Sequence, residues 1–266
     1  MATVNVYIVS ISKPDEPGGI SPQAKRLYDL FASPLFQTTI LKLDSPAKNI
    51  KTNYPGFDTE SSNELYRFIL ALKDGINTNS KEPVLYITDT SITDADAGTI
   101  ESIVTSLLSN NWDVCYLSKW LDSCDLYTDK KQINKNGTVL VNAVNPQGIQ
   151  AFLIRPDRFL LDANTGEVSL KNGNKIAFEK NLSSTFQKLI AAKQINAATV
   201  TPNLFNVDPL TITKNEDYIK LNECRDPTAL IPVDNGTQTS TSQNYITWGL
   251  LAVAILLLIY LLFRKA

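Results

Sequence analysis

The sequence predicts an α/β domain, a mostly parallel sheet covered by helices on both faces, followed by a β-meander and one C-terminal transmembrane helix. Three patterns predict it. Strand-like and helix-like periodicities alternate through the first half, as parallel strands joined by helical crossovers require. Turn-rich strands follow Lys130, and the chain carries an uncharged apolar run from Tyr245 to Phe263.

In chain order, Val4 to Ile11 alternates as a strand, Pro22 to Phe31 reads as a helix, and Thr38 to Leu43 as a second strand. Ser61 to Ile76 is an amphipathic helix, because Leu65, Phe68, Ile69 and Leu72 recur at helical spacing on one face. Val84 to Thr88 and Val114 to Leu117 are short apolar runs suited to buried strands, with a helix from Asp94 to Leu108 between them. Thr138 to Val144 and Gln150 to Ile154 read as strands. The turn signals Ala163-Asn164-Thr165-Gly166 and Lys171-Asn172-Gly173-Asn174 bracket Glu167 to Leu170 and complete the meander. Leu182 to Ala192 closes the domain as a helix capped by Asn181.

Residues 1–195 therefore form the predicted domain, and 196–231, where Pro202, Pro209 and Pro227 interrupt apolar patches, an extended segment packed along it. Residues 232–244 read as a flexible polar stalk, 245–263 as the span and 264–266 as a basic tail. The span has 19 uncharged residues, about 28 Å of helix at 1.5 Å per residue. Tyr245 and Trp248 suit the near interface, Tyr260 the far one, and Arg264 and Lys265 snorkel beyond it. The segment MATVNVYIVSI lacks a basic n-region and a cleavage site. The expectation is a tail anchor with the N-terminal domain on the cytosolic side, at an intracellular membrane or a virion inner membrane. On that topology the sequons at Asn136, Asn181 and Asn235 stay unmodified.

Composition excludes several functions. Twenty-five basic and 27 acidic residues give a net charge of −2 without a Lys/Arg run, so no nucleic-acid partner is expected. The absence of histidine rules out a Ser/His/Asp triad, a Cys/His dyad and a His-ligated zinc site. Cys115, Cys124 and Cys224 are odd in number and scattered, the pattern of a reducing compartment.

Ligands of α/β sheets bind beyond the carboxyl ends of the strands, which singles out Asp89 and Ser91 in Thr88-Asp89-Thr90-Ser91, directly after the strand VLYI. Asp94 and Asp96 form a literal D-x-D, at a helix start where acids cap backbone N–H groups. Ser118-Lys119-Trp120 could line an acceptor pocket or serve packing, and Arg155-Pro156-Asp157-Arg158 reads as a solvated turn. Asp122, Asp125 and Asp129 lack the glycine and glutamate of a calcium loop, and Lys13 to Gly19 lacks the Gly-Lys-Ser/Thr of a phosphate cradle.

The strand Val84 to Ile87 with its following acid, then Trp112-Asp113-Val114-Cys115-Tyr116-Leu117, then Gly148-Ile149-Gln150-Ala151-Phe152-Leu153-Ile154 resemble in order and spacing the family 25 glycosyltransferases, the lipopolysaccharide and procollagen sugar transferases. The resemblance covers roughly residues 3–162. It implies a GT-A-like, nucleotide-sugar-binding fold whose acidic pair holds a divalent cation such as manganese. The chain departs from the pattern where catalysis resides: the acidic motif reads Thr88-Asp89-Thr90, and the family's Ser-His pair has no histidine here. The expectation is accordingly a protein without catalytic residues or cofactor, in which Asp89, Ser91, Asp94 and Asp96 are a vestigial nucleotide-sugar and metal site. Its partners would be the lipid bilayer and neighbouring structural proteins, capsid proteins among them, since the Asn/Ile/Lys/Thr-rich composition resembles minor capsid or membrane proteins of large DNA viruses. The alternative expectation is an active membrane-bound glycosyltransferase using manganese and a nucleotide sugar.

Overall fold

Apolar runs with no polar face become interior strands, and the computed structural model, which describes residues 3–10, 19–41, 59–79, 82–128, 130–135, 137–162, 167–179 and 181–207, places them so. The elements are β1 (Val4–Val9), α1 (Pro22–Leu30), β2 (Phe36–Leu41), α2 (Thr59–Asn79), β3 (Val84–Thr88), β4 (Ser91–Ile92), α3 (Ala97–Leu108) and β5 (Val114–Tyr116). There follow β6 (Lys131–Gln132), β7 (Val139–Asn142), β8 (Ala151–Ile154), β9 (Phe159–Leu161), β10 (Val168–Leu170), α4 (Leu182–Ala191), β11 (Ala197–Thr201) and β12 (Asn206–Val207).

Eight strands form one mixed, mostly parallel sheet in the order β2-β1-β3-β8-β5-β11-β7-β6. β1 pairs in parallel with β2 and β3, and β5 with β11, while β8 runs antiparallel between β3 and β5. The α/β expectation holds. Side chains alternate across β1: Tyr7 and Val9 join one core with Leu65 and Phe68 of α2 and Phe186 of α4, whereas Val4, Val6 and Ile8 join the other with Leu27 of α1 and Ile103 of α3. Helices thus cover both faces. On the α2/α4 face Phe152 stacks on Tyr86 at 5.1 Å between ring centres and meets Phe186 edge-on at 5.7 Å.

Three expectations change. The meander forms only in part: β7 and β8 are separated by β5 and β11, whereas β10 pairs antiparallel with β9 and, beyond the second turn, bridges to Lys175, outside the main sheet. All four residues of β8 are buried, so it must sit inside the sheet with both faces covered rather than at an open margin. The start of the segment read as packed along the domain, Ala197–Thr201, is likewise a wholly buried interior strand. Cys124 is disulfide-bonded, which the reading of the scattered cysteines as a reducing-compartment pattern did not anticipate, whereas Cys115 is free and buried. The stalk and the expected span with Tyr245, Trp248, Tyr260, Arg264 and Lys265 lie outside the described residues, among which no helix is long and apolar enough to cross a membrane.

Candidate functional site

The carboxyl ends of β1 and β3 meet the N-terminus of α1 at Asp89. Its backbone N–H extends the sheet by donating to Val9 O at 3.0 Å. The side chain is wholly buried, and Oδ2 accepts from Ser10 Oγ at 3.0 Å and Ser21 Oγ at 2.6 Å. Ser21 is also the N-cap of α1, accepting from Ala24 N at 3.1 Å. Beside this cluster Thr88 Oγ1 and Thr90 Oγ1 share a 2.8 Å bond. The acid thus ties a strand end to a helix start through two hydroxyls, a buried polar group satisfied by hydrogen bonds.

The other expected site residues do not converge on it. Ser91 is wholly buried, with its hydroxyl donating to Gln150 O at 3.3 Å. Asp94 and Asp96 are exposed. Asp96 caps α3 by accepting from Thr99 N at 2.7 Å, and that backbone bond holds its carboxyl below the ordinary value. A divalent cation needs several anionic oxygens turned towards one point. A buried acid engaged by two hydroxyls and two surface acids, one of them a helix cap, do not supply that set. Among the described residues no group of three or more His, Cys, Asp or Glu side chains gathers as a metal site would.

Further along the same edge, the loop after β5, the loop before β8 and the first turns of α2 and α4 enclose a cleft of about 320 Å³. Glu64 of α2 reaches across to accept from Leu182 N, the first residue of α4, at 3.2 Å. Asn181 closes a capping box with Ser184 and sets the α4 N-terminus at the cleft. Trp120 and Gln150 both stand close to where a Cβ on Gly148 would point, and Gly148 adopts φ +99°. Glu64 raises the Tyr86 phenol pKa, second to burial, which raises it most.

Of the Ser118-Lys119-Trp120 segment, only Trp120 lines this cleft. Lys119 turns inward, donating to Val200 O at 3.1 Å and Asn203 Oδ1 at 3.3 Å. Arg155, read as part of a solvated turn, lies over the Trp112 ring at 4.6 Å and donates to Leu108 O, at the last residue of α3, and to Asn110 O just beyond it. Asp122 is a loop staple, accepting from Val144 N, Asn145 N and Tyr127 Oη. Sequence reasoning missed Glu64, Gly148, Gln150 and Ser183 as site residues. A glycine ahead of an apolar strand was the one local signal among them, because their convergence depends on β8 entering the sheet between β3 and β5. No family model matches the chain, and no curated protein matches it.

Proposed function

We propose that the protein is a non-catalytic, membrane-anchored scaffold built on a degenerate GT-A-like domain, a minor capsid or membrane-linking component of a virion. The observation that supports it most is Asp89: at the position where the resemblance expects an acidic metal-binding pair, one carboxylate is wholly buried and engaged by Ser10 and Ser21. A group held this way ties elements together and is poorly disposed to take a cation. Loss of a site with survival of the packing is how a fold passes from catalysis to assembly. Charge balance and the uncharged run at Tyr245 to Phe263 support a bilayer and neighbouring structural proteins as partners.

Two measurements on the full-length protein test this. Membranes washed in alkaline carbonate should retain it, and mild detergent should release it in fixed stoichiometry with a membrane-proximal assembly. Recovery only as a dispersed monomer, or manganese-dependent UDP or GDP binding that Asp89→Asn abolishes, would overturn the reading and restore the active glycosyltransferase. On which side the domain lies is a separate matter. The tail-anchor reading puts it in the cytosol, and the disulfide at Cys124 favours the oxidising side; protease protection of sealed vesicles distinguishes the two.

A further inference from the structure

Two polar atoms at the cleft between α2 and α4 have no bond to make within the protein. Trp120 Nε1, a donor, and Gln150 Oε1, an acceptor, are buried without a hydrogen-bond partner, a rare condition in folded interiors. Both stand beside Gly148: a Cβ there would lie 2.7 Å from Gln150 Oε1 and 3.0 Å from Trp120 Cδ1, the carbon bonded to Nε1. The glycine keeps that space clear. Trp120 and Gln150 are themselves only half-buried, and both line the cleft. The terminal torsion of a glutamine is broad, so a small turn presents Oε1 to an occupant.

Asn181, also in the lining, adds a donor of fixed sense. Its Oδ1 accepts from Ser184 N at 2.8 Å and from Ser184 Oγ at 2.9 Å, which leaves the amide hydrogens to give. The occupant must therefore offer an acceptor to Trp120 and Asn181 and a hydrogen to Gln150. A carboxylate sets its second oxygen against Gln150 Oε1, and an ammonium turns its hydrogens on the Trp120 N–H. A trans peptide bond carries its C=O and N–H on opposite edges. A primary carboxamide carries its C=O and one N–H on the same edge and answers both senses with one planar group. The volume of about 320 Å³, at the small end of the roughly 300–1,000 Å³ usual for ligand sites, suits a single side chain. The walls are braced in advance: Trp120 N donates to Gln147 O at 2.7 Å and Gln147 N to Leu121 O at 2.8 Å.

We propose that this cleft takes the primary carboxamide of a glutamine or asparagine side chain, its C=O accepting from Trp120 Nε1 and its N–H donating to Gln150 Oε1. That the carboxamide belongs to a neighbouring protein rests on the scaffold reading, whereas the chemistry of the cleft does not. Membrane retention and stoichiometry test the scaffold, titration with small amides tests the cleft, and each can fail alone.

The titration uses the full-length chain, labelled with nitrogen-15 and held in a detergent with a non-sugar head group. The chain has three tryptophans, and loss of one indole N–H signal in Trp120→Phe assigns that of Trp120. The probes are the N-acetyl methylamides of glutamine and asparagine, with those of methionine and glutamate and with glucose as controls. The glutamine or the asparagine probe is expected to shift the Trp120 indole signal with a Kd of about 5 mM. Gln150→Met keeps the chain length and loses the carboxamide, and Trp120→Phe keeps a ring and loses the N–H. Each should weaken binding, followed at the Gly148 amide, by about three- to tenfold with unchanged far-UV circular dichroism. Should one variant fail to fold, the other decides. No shift from either carboxamide up to about 50 mM, equal binding of the methionine probe, tighter binding of the glutamate probe or of glucose, or a Kd unmoved by the substitutions overturns the proposal.

Discussion

Ser21 Oγ lies 2.6 Å from Asp89 Oδ2 and at the same time accepts from Ala24 N, so the hydroxyl that starts α1 also satisfies the buried acid at the end of β3. Removing either partner should therefore cost more than a cap or a hydrogen bond alone. Ser21→Ala is expected to lower unfolding free energy by about 1–2 kcal/mol. Asp89→Ala, which leaves two buried hydroxyls without their acceptor, should lower it by about 2–3 kcal/mol, and Asp89→Asn by less. Urea unfolding of the variants measures this. A fully stable Asp89→Ala would remove the structural role assigned to the acid.

That relationship also marks what was legible in the sequence. Asp89 is found by position, because an acid after an apolar strand stands at the sheet's carboxyl edge. Its role is not legible, since Ser10 and Ser21 lie 79 and 68 residues away along the chain. β1, β3 and β5 are visible as apolar runs, and the Asn181 cap as a local pattern. β11 escapes because Ala-Ala-Thr-Val-Thr is small and polar by composition, and its burial comes wholly from its neighbours β5 and β7. The turns around β10 are legible and the separation of β7 from β8 is not, because turn residues report where the chain reverses and not which strand it rejoins.

Asp96 makes a pH prediction. Its carboxyl is held below the ordinary value of 3.8, chiefly by the Thr99 N–H, so the charged form is the one the folded state prefers. For an acid lowered on folding, the stabilisation is present above the unfolded value and is lost as pH falls through the folded one. The first turn of α3 should therefore lose amide protection, corrected for intrinsic exchange, below about pH 3.8. Asp96→Ala should have that weaker protection at every pH. Equal pH dependence in both proteins at Thr99 would show that another group governs this turn.

Gly148 and Gly173 separate backbone strain from steric clash. Both have positive φ, +99° and +88°, but nothing lies within 4 Å of a Cβ on Gly173. Gly173→Ala should cost about 1 kcal/mol for the left-handed backbone alone. Gly148→Ala must in addition displace Gln150 and Trp120 and should cost about 2–3 kcal/mol, measured in the same urea series. Equal losses at the two sites would mean that the wall of the cleft yields freely.

Gly75 tests packing against helix propensity. It lies inside α2, where replacing glycine by alanine ordinarily gains about 1 kcal/mol. Here a Cβ would fall 2.5 Å from Val84 Cγ2 and 3.0 Å from Pro156 Cγ, both side chains in the close approach of α2 to the sheet and the turn after β8. Val84 is wholly buried at the start of β3 and has no open space to rotate into. Gly75→Ala should consequently destabilise, by about 1–2 kcal/mol net of the propensity gain. The paired variant Gly75→Ala with Val84→Ala should recover part of that loss, because the methyl then occupies the space the valine vacates. A stabilised single variant would show instead that α2 stands further from β3 than this packing describes.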